Sequence, residues 1–256
     1  MRCWVELRIF LAGRLAIASG TRLVDEHRFP GLQGRVVFAM LAAERERPVS
    51  REELADELWG DGLPPAWETS IRAIASKLRG MLGEAGVDGG RVLTGAAGLY
   101  QLRLPGTWVD IDAAADAIHR AEPLLRRGRV DEACGWALAA RAIARRPLLP
   151  GAEGPWVTHR RDRLRDLHLR ALEALAEIWL RRGVAALAVA DAEEALRLEP
   201  FRESAHRALM RAHAAAGNRA EALRAYEECR RLLGTDLGVD PSPETEGVYL
   251  EVLRSA

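Results

Sequence analysis

Apolar positions change their spacing near residue 105. Before it they fall in short alternating runs and short helical stripes; after it helical spacing is almost unbroken. Met1–Arg8 alternates like a strand, and Val5–Phe10, Leu15–Ala18 and Leu23–Val24 read as short strands. A helix then opens at Leu32-Gln33-Gly34-Arg35, carries Val36, Val37, Met40 and Leu41 on one side and is stopped by Pro48. Ser50-Arg51-Glu52-Glu53 is a capping box, in which a Ser hydroxyl and a Glu three residues on satisfy each other's orphan amides. Leu54 and Leu58 give the helix behind it one apolar side. The run from Gly60 to Pro65 cannot continue a helix, and Pro65 suits the start of the next. That next helix, about 66–82, has Ile71, Ala75, Leu78 and Leu82 on one face and Thr69, Ser70, Arg72, Ala73, Ser76, Lys77 and Arg79 on the other, with Gly83 and Gly86 closing it. Arg91–Thr94 and Leu99–Leu104 read as two strands around the turn Gly95–Gly98. The simplest assembly of these parts is a winged helix-turn-helix, whose second helix fits the major groove of DNA.

Beyond a junction at Pro105-Gly106-Thr107 the chain is almost all helix, punctuated at Pro123, Gly128, Pro147, Gly151–Pro155, Gly183, Pro200, Gly217 and Gly234. An internal repeat is present. Gly183 and Gly217 lie 34 residues apart, and the same offset links Ala188 to Ala222, Ala195 to Cys229, Pro200 to Gly234 and Trp179 to His213. A helix–turn–helix period of this length, with Ala where two helices must approach, is the tetratricopeptide signature. Tyr226 fills the aromatic position of the second copy. Gly128–Ala133 and the helix to Arg145 resemble a third unit, put out of phase by the insertion Pro147–Trp156. Ser242-Pro243 opens a last helix, whose Val248, Leu250, Val252 and Leu253 are placed to cover the end of the stack. The fold class expected is mainly α with a small β component: a winged helix-turn-helix over residues 1–107, then a tetratricopeptide-like all-α repeat domain over 108–256.

Composition adds limits. Of 256 residues 48% are apolar, which fits a soluble globular chain, and no apolar run reaches the ~18 residues of a membrane-crossing helix. Glu6 and Arg8 interrupt any signal-peptide core, so the cytoplasm is the expected place. Cys3, Cys134 and Cys229 are isolated and read as small buried thiols. The six histidines have no metal spacing, no histidine pairs with a nucleophile in a recognised motif, and Gly83–Gly90 lacks the Lys-Ser/Thr ending of a phosphate loop. No enzyme activity, metal or cofactor is therefore expected.

Net charge is zero, with 37 basic and 37 acidic residues, which by itself argues against a nucleic-acid binder. Position outweighs the total. Between Ile71 and Leu104 stand Arg72, Lys77, Arg79, Arg91 and Arg103 against Glu84 and Asp88 alone. The acids gather earlier, at Glu52, Glu53, Asp56, Glu57 and Asp61. Thr69 and Ser70 suit phosphate contacts at a helix start. Ala73 and Ser76 are small enough to let the helix sit deep. Arg91 and Thr94 are the wing's candidates, while Tyr100 reads as core and Trp59 and Trp67 as braces. The DNA-binding set is thus Thr69, Ser70, Arg72, Ala73, Ser76, Lys77, Arg79, Arg91 and Thr94. Farther on, Trp156–Arg163 opens a helix with a basic first turn, which the macrodipole disfavours. Such a turn implies either an acidic partner or phosphate, or pairing along the helix itself.

Several motifs carry a family resemblance. They are Val49–Leu54 with Leu58-Trp59-Gly60-Asp61 and Pro64-Pro65; Ser76–Gly83; Val109–Asp112; Arg146–Gly151; Glu199–Glu203; Gly217–Leu223 with Tyr226; and Leu237–Pro243. In this order they resemble an OmpR-type winged helix followed by a bacterial transcriptional activator domain, the layout of the SARP family. The resemblance implies a sequence-specific transcriptional activator that binds double-stranded promoter DNA. It also implies homodimers or tandem protomers on direct repeats, contact with the sigma-factor region of RNA polymerase, and no membrane. By position Lys77 and Arg79 match residues that contact bases and phosphates in such proteins. With no receiver domain ahead of the winged helix, phospho-switching of the usual kind is not expected. Two other readings stand beside this one: a tetratricopeptide-type interaction adaptor, and a ligand-responsive regulator with weak DNA binding.

Overall fold

The structure, a computed structural model, describes residues 7–254. The strand start at Val5 and the buried thiol at Cys3 lie outside the described residues. Strands β1 (Leu7–Phe10), β2 (Ala16–Ser19) and β3 (Arg22–Val24) precede helix α1 (Gly31–Ala43). Then come β4 (Val49–Ser50), α2 (Arg51–Trp59), α3 (Trp67–Glu84), a single turn α4 (Gly89–Val92), β5 (Leu93–Ala96), β6 (Leu99–Leu102) and β7 (Trp108–Val109). Helices follow: α5 (Asp110–Arg126), α6 (Val130–Ala144), α7 (Pro155–Arg181), α8 (Ala185–Leu198), α9 (Glu203–Ala215), α10 (Arg219–Leu232) and α11 (Pro243–Arg254). The chain forms two compact units. The first takes the residues up to 114 together with 143–164, and the second takes 115–142 and 165 onward.

The first unit is built on two small sheets. One has the order β3-β2-β1-β7, antiparallel except for the parallel pair β1–β7; the other has the order β4-β6-β5. Helix α1 is buried from Val36 through Ala42, more completely than a single apolar side implies. A helix sunk on nearly all sides has no polar face for periodicity to reveal. Its Gly34 is dictated by a close approach: a Cβ there would lie 2.3 Å from the Pro30 ring. The expected capping box forms at Ser50, with the Glu53 amide 3.0 Å from Ser50 Oγ and the Ser50 amide 2.8 Å from a Glu53 carboxylate oxygen. Asp110 locks β1 to the start of α5. Fully buried, it accepts from the Leu11 and Ile111 amides at 2.8 Å and from the Ala12 amide at 3.0 Å. Burial raises its carboxyl pKa, and the three amides and the Arg146 charge work against that rise.

The basic opening of α7 meets acids within this unit. Glu57 of α2 is buried, and its two carboxylate oxygens accept the Trp156 and Val157 amides at 2.7 and 3.1 Å. Those are orphan donors of a helix N-terminus, so the carboxylate caps α7 from another element. Gly154 makes room, since a Cβ there would lie 2.3 Å from Glu57 Oε1. Glu44, just past α1, accepts from the Trp156 indole at 3.0 Å and pairs with Arg160. Burial works to raise the Glu44 pKa, but these two bonds together with the charges of Arg160 and Arg47 outweigh it and hold the carboxyl below its ordinary value. Arg161 is satisfied by the Leu148 and Leu149 carbonyls.

The second unit is a stack of helix pairs. Ala188, Ala195 and Ala222 are 0% exposed and Cys229 is 1% exposed, as close helix packing at the repeat positions requires. Gly183 and Gly217 turn the corners at φ of 71° and 78°, where a side chain would be strained. The α5–α6–α7 core is rich in alanine, with Ile118, Leu125, Leu175 and Ile178 filling between. Pro123, expected as punctuation, lies inside α5, which runs on to Arg126. Ser242-Pro243 does start α11. Its covering stripe is Thr245, Val248 and Val252, with Tyr249 stacked on Tyr226 at a centroid distance of 4.0 Å. Leu250, expected in that stripe, is 43% exposed. Cys134 and Cys229 are buried free thiols, and burial pushes the Cys229 pKa up to about 11. Among the described residues no helix is long and apolar enough to cross a membrane, and no group of acids, histidines and cysteines is placed to hold a metal.

Candidate nucleic-acid interface

Helix α3 is amphipathic. Ile71, Ile74, Ala75, Leu78, Met81 and Leu82 are buried at helical spacing. Thr69, Arg72, Ala73, Ser76 and Lys77 are exposed on the opposite side, and Ser70 is half-buried with its hydroxyl turned back to the Ala66 carbonyl at 3.3 Å. The helix runs past Gly83 and closes at Gly86. There the Gly86 and Val87 amides bond back to the Gly83 and Leu82 carbonyls, which is the Schellman arrangement. Gly83 is open on its exposed side and tolerates the helical conformation, so it does not stop the helix.

Lys77 projects from the exposed face and, among the described residues, has no ion-pair partner. Arg72 is 65% exposed along its side chain and pairs with Glu68 one turn back at 3.1 Å. Arg79 takes a different place. It is half-buried, and its Nε donates to the Leu93 carbonyl at 2.9 Å, so it pins the wing to the helix. Arg91 is exposed but sits in the turn α4, capped by Asp88, rather than in a strand. The wing strand begins at Leu93, not at Arg91, because Gly89 packs so closely on α3 that a Cβ would lie 2.1 Å from the Arg79 carbonyl oxygen. Thr94 is half-buried and its hydroxyl donates to the Gln101 carbonyl at 3.3 Å. Tyr100 is 9% exposed, and Trp59 and Trp67 are half-buried.

The wing turn joins Ala97 and Gly98, both at positive φ (51° and 80°), as a tight primed hairpin turn requires. Gly98 also accepts the Arg51 amide at 2.8 Å, which ties the wing tip to the start of α2. An open hollow of about 450 Å³ lies between the wing turn and α3, lined by Arg51, Glu68, Arg72, Arg79 and Tyr100. Arg51 and Glu68 are functional candidates absent from the set read off the sequence. The i,i+4 spacing of Glu68 and Arg72 is visible in the chain. The approach of Arg51, seventeen positions upstream of Glu68, is not.

The helix and hairpin geometry has relatives. The profile of the bacterial transcriptional activator domain matches residues 109–253. Regulatory protein AfsR of Streptomyces griseus is 30% identical over 97% of this chain, which covers 25% of that protein. Transcriptional regulatory protein EmbR of Mycobacterium tuberculosis is 30% identical over 86% of this chain, which covers 57% of that protein. A solved structure of M. tuberculosis EmbR in complex with a low affinity phosphopeptide superposes with a TM-score of 0.88 at 28% identity, covering 98% of this chain and 65% of that one. The chain therefore spans a quarter of AfsR and somewhat over half of EmbR. AfsR is named a regulatory protein and EmbR a transcriptional regulatory protein. On the match over residues 109–253, and with a winged helix-turn-helix ahead of it, the chain belongs to the bacterial transcriptional activator domain family in its SARP layout.

Proposed function

We propose that this chain is a sequence-specific DNA-binding transcriptional activator. Its residues 1–107 read promoter DNA, and its residues 108–256 form the activator domain that contacts RNA polymerase at the sigma-factor region. The observation that carries this reading is the exposed side of α3. Small residues Ala73 and Ser76 there leave Lys77 standing clear and Arg72 exposed on the same side, beside a hairpin pinned in place by Arg79. Such a helix enters the major groove, where a lysine or arginine reads the guanine edge. Thr69, Ser70, Arg91 and Thr94 lie where sugar–phosphate contacts set the register. One protomer neutralises few phosphates, so tandem protomers on direct repeats supply the affinity a single site lacks. In the cell the protein is then cytoplasmic and associated with the nucleoid when bound.

The test is a mobility shift of the full chain on the DNA upstream of its own gene. Lys77→Ala is expected to weaken binding by about 1–3 kcal/mol without lowering the melting temperature, because Lys77 touches bases and not the core. Wild-type protein that fails to shift any duplex at low salt overturns the DNA reading.

A further inference from the structure

In the free protein Glu68 occupies two arginines at once. Its Oε2 lies 3.1 Å from Arg51 Nη1 and 3.1 Å from Arg72 Nη2. Arg51 also pairs with Glu52 at 2.8 Å and lies over the Trp67 ring, 5.7 Å from its centroid. The guanidiniums of Arg51, Arg72 and Arg79 and the one Glu68 carboxylate line the same hollow, on whose other side stands the wing turn Gly95–Leu99. Three arginines and the Glu68 carboxylate thus line a space open to solvent, with Glu52 holding Arg51 as well.

The major and minor grooves of a duplex are separated by a sugar–phosphate strand. A protein that lays a helix in one groove and reaches a hairpin toward the next must straddle that strand. The space between helix and hairpin then receives a phosphate. A phosphate diester carries the charge of a carboxylate and accepts the same guanidinium donors in the same forked geometry.

We propose that the hollow between α3 and the β5–β6 turn seats a backbone phosphate of bound duplex DNA, and that Glu68 sets how tightly it is held by occupying Arg51 and Arg72 until the phosphate displaces it. This assignment rests on the DNA-binding reading above. Glu68 is then an internal competitor. Removing its charge strengthens DNA binding, whereas removing either arginine weakens it. Because the contact is to the backbone, the effect is blind to base sequence.

The experiment measures fluorescence anisotropy of the full chain on two labelled duplexes over a range of salt: its own upstream DNA, and an unrelated duplex of equal length and base composition. Glu68→Gln and Glu68→Ala are both expected to tighten binding to the two duplexes by a common factor of roughly three to ten at low salt, and to steepen the slope of log affinity against log salt by about one contact. Arg51→Gln is expected to cost more affinity in the Glu68→Gln background than in wild type, because that arginine is then free for the phosphate. Both Glu68 variants are expected to keep the wild-type melting temperature, since the carboxylate is solvent-exposed and its ion pairs contribute little to stability. Wild-type binding with Glu68 variants that bind equally or more weakly overturns the phosphate seat and leaves the DNA reading standing. Tightening on one duplex alone makes Glu68 a reader of bases and also overturns it. Wild-type protein that binds neither duplex at low salt overturns both.

Discussion

Single side chains in this protein hold whole elements in place, and burial there shifts their titration. Glu57 caps a helix that begins a hundred residues later in the chain, and burial raises its carboxyl against the two amide bonds that lower it. His206, 3% exposed, bonds through Nε2 to the Pro200 carbonyl at 2.9 Å. Burial pushes its pKa below 6.5, opposed by the hydrogen bond to the Pro200 carbonyl and by the charges of Glu228 and Glu203. A histidine kept neutral by the fold binds a proton more readily when unfolded. Its contribution to stability is therefore complete above the unfolded value of 6.5 and is lost as pH falls toward the folded one. Thermal denaturation followed from about pH 7.5 down to about pH 5 should show wild type losing more stability than His206→Gln, the difference opening below the unfolded histidine value. Parallel curves would place the acid sensitivity elsewhere. Among the candidate DNA contacts, Lys77 stands clear on the exposed face, Arg72 is exposed but paired with Glu68, and Arg79 is drawn into structure. Periodicity places Arg79 on the exposed side of a helix; only the arrival of β5 gives its Nε a carbonyl to bind.

At the scale of elements, the local signals were the most legible. The capping box at Ser50 and Glu53 forms as its spacing requires. Ser50→Ala should destabilise the protein by about 1 kcal/mol, read as a lower urea midpoint at unchanged slope, because the Glu53 amide at the helix start loses its acceptor. A midpoint that did not move would mean solvent replaces the hydroxyl at no cost. The repeat helices α8, α9 and α10 follow from glycines and alanines at a fixed offset, since only small residues permit the close approach and only glycine turns the corner without strain. Three features escaped this reading. The two-residue strand β4 exists only because β6 pairs with Val49 and Ser50. The turn α4 replaces the start of a strand because Gly89 must press on α3. Pro123 stays inside α5, although it has no amide to give the His119 carbonyl one turn back.

On the scale of the whole molecule, sequence order and compactness part company. The first unit draws in β7, the start of α5 and residues 143–164, which supply Val109 to the β1 edge, Asp110 to the Leu11 and Ala12 amides, and the Trp156 and Arg160 partners of Glu57 and Glu44. A fragment ending at residue 107 loses all of these, the two amide donors of Glu57 included. Such a fragment should melt without a sharp transition in circular dichroism and be cut rapidly by protease, while the full chain melts cooperatively. A cooperative transition near the full-chain temperature would show that these contacts contribute little. The sequence by itself determined the local elements, the amphipathic face of α3, the repeat and the family layout, because each depends on residues within a few positions or on a fixed period. The tertiary structure alone decided which acids meet the basic start of α7, which arginine serves the wing and that Arg51 also reaches Glu68. Those contacts join residues from 14 to more than a hundred positions apart, and complementarity over such distances has no period to betray it.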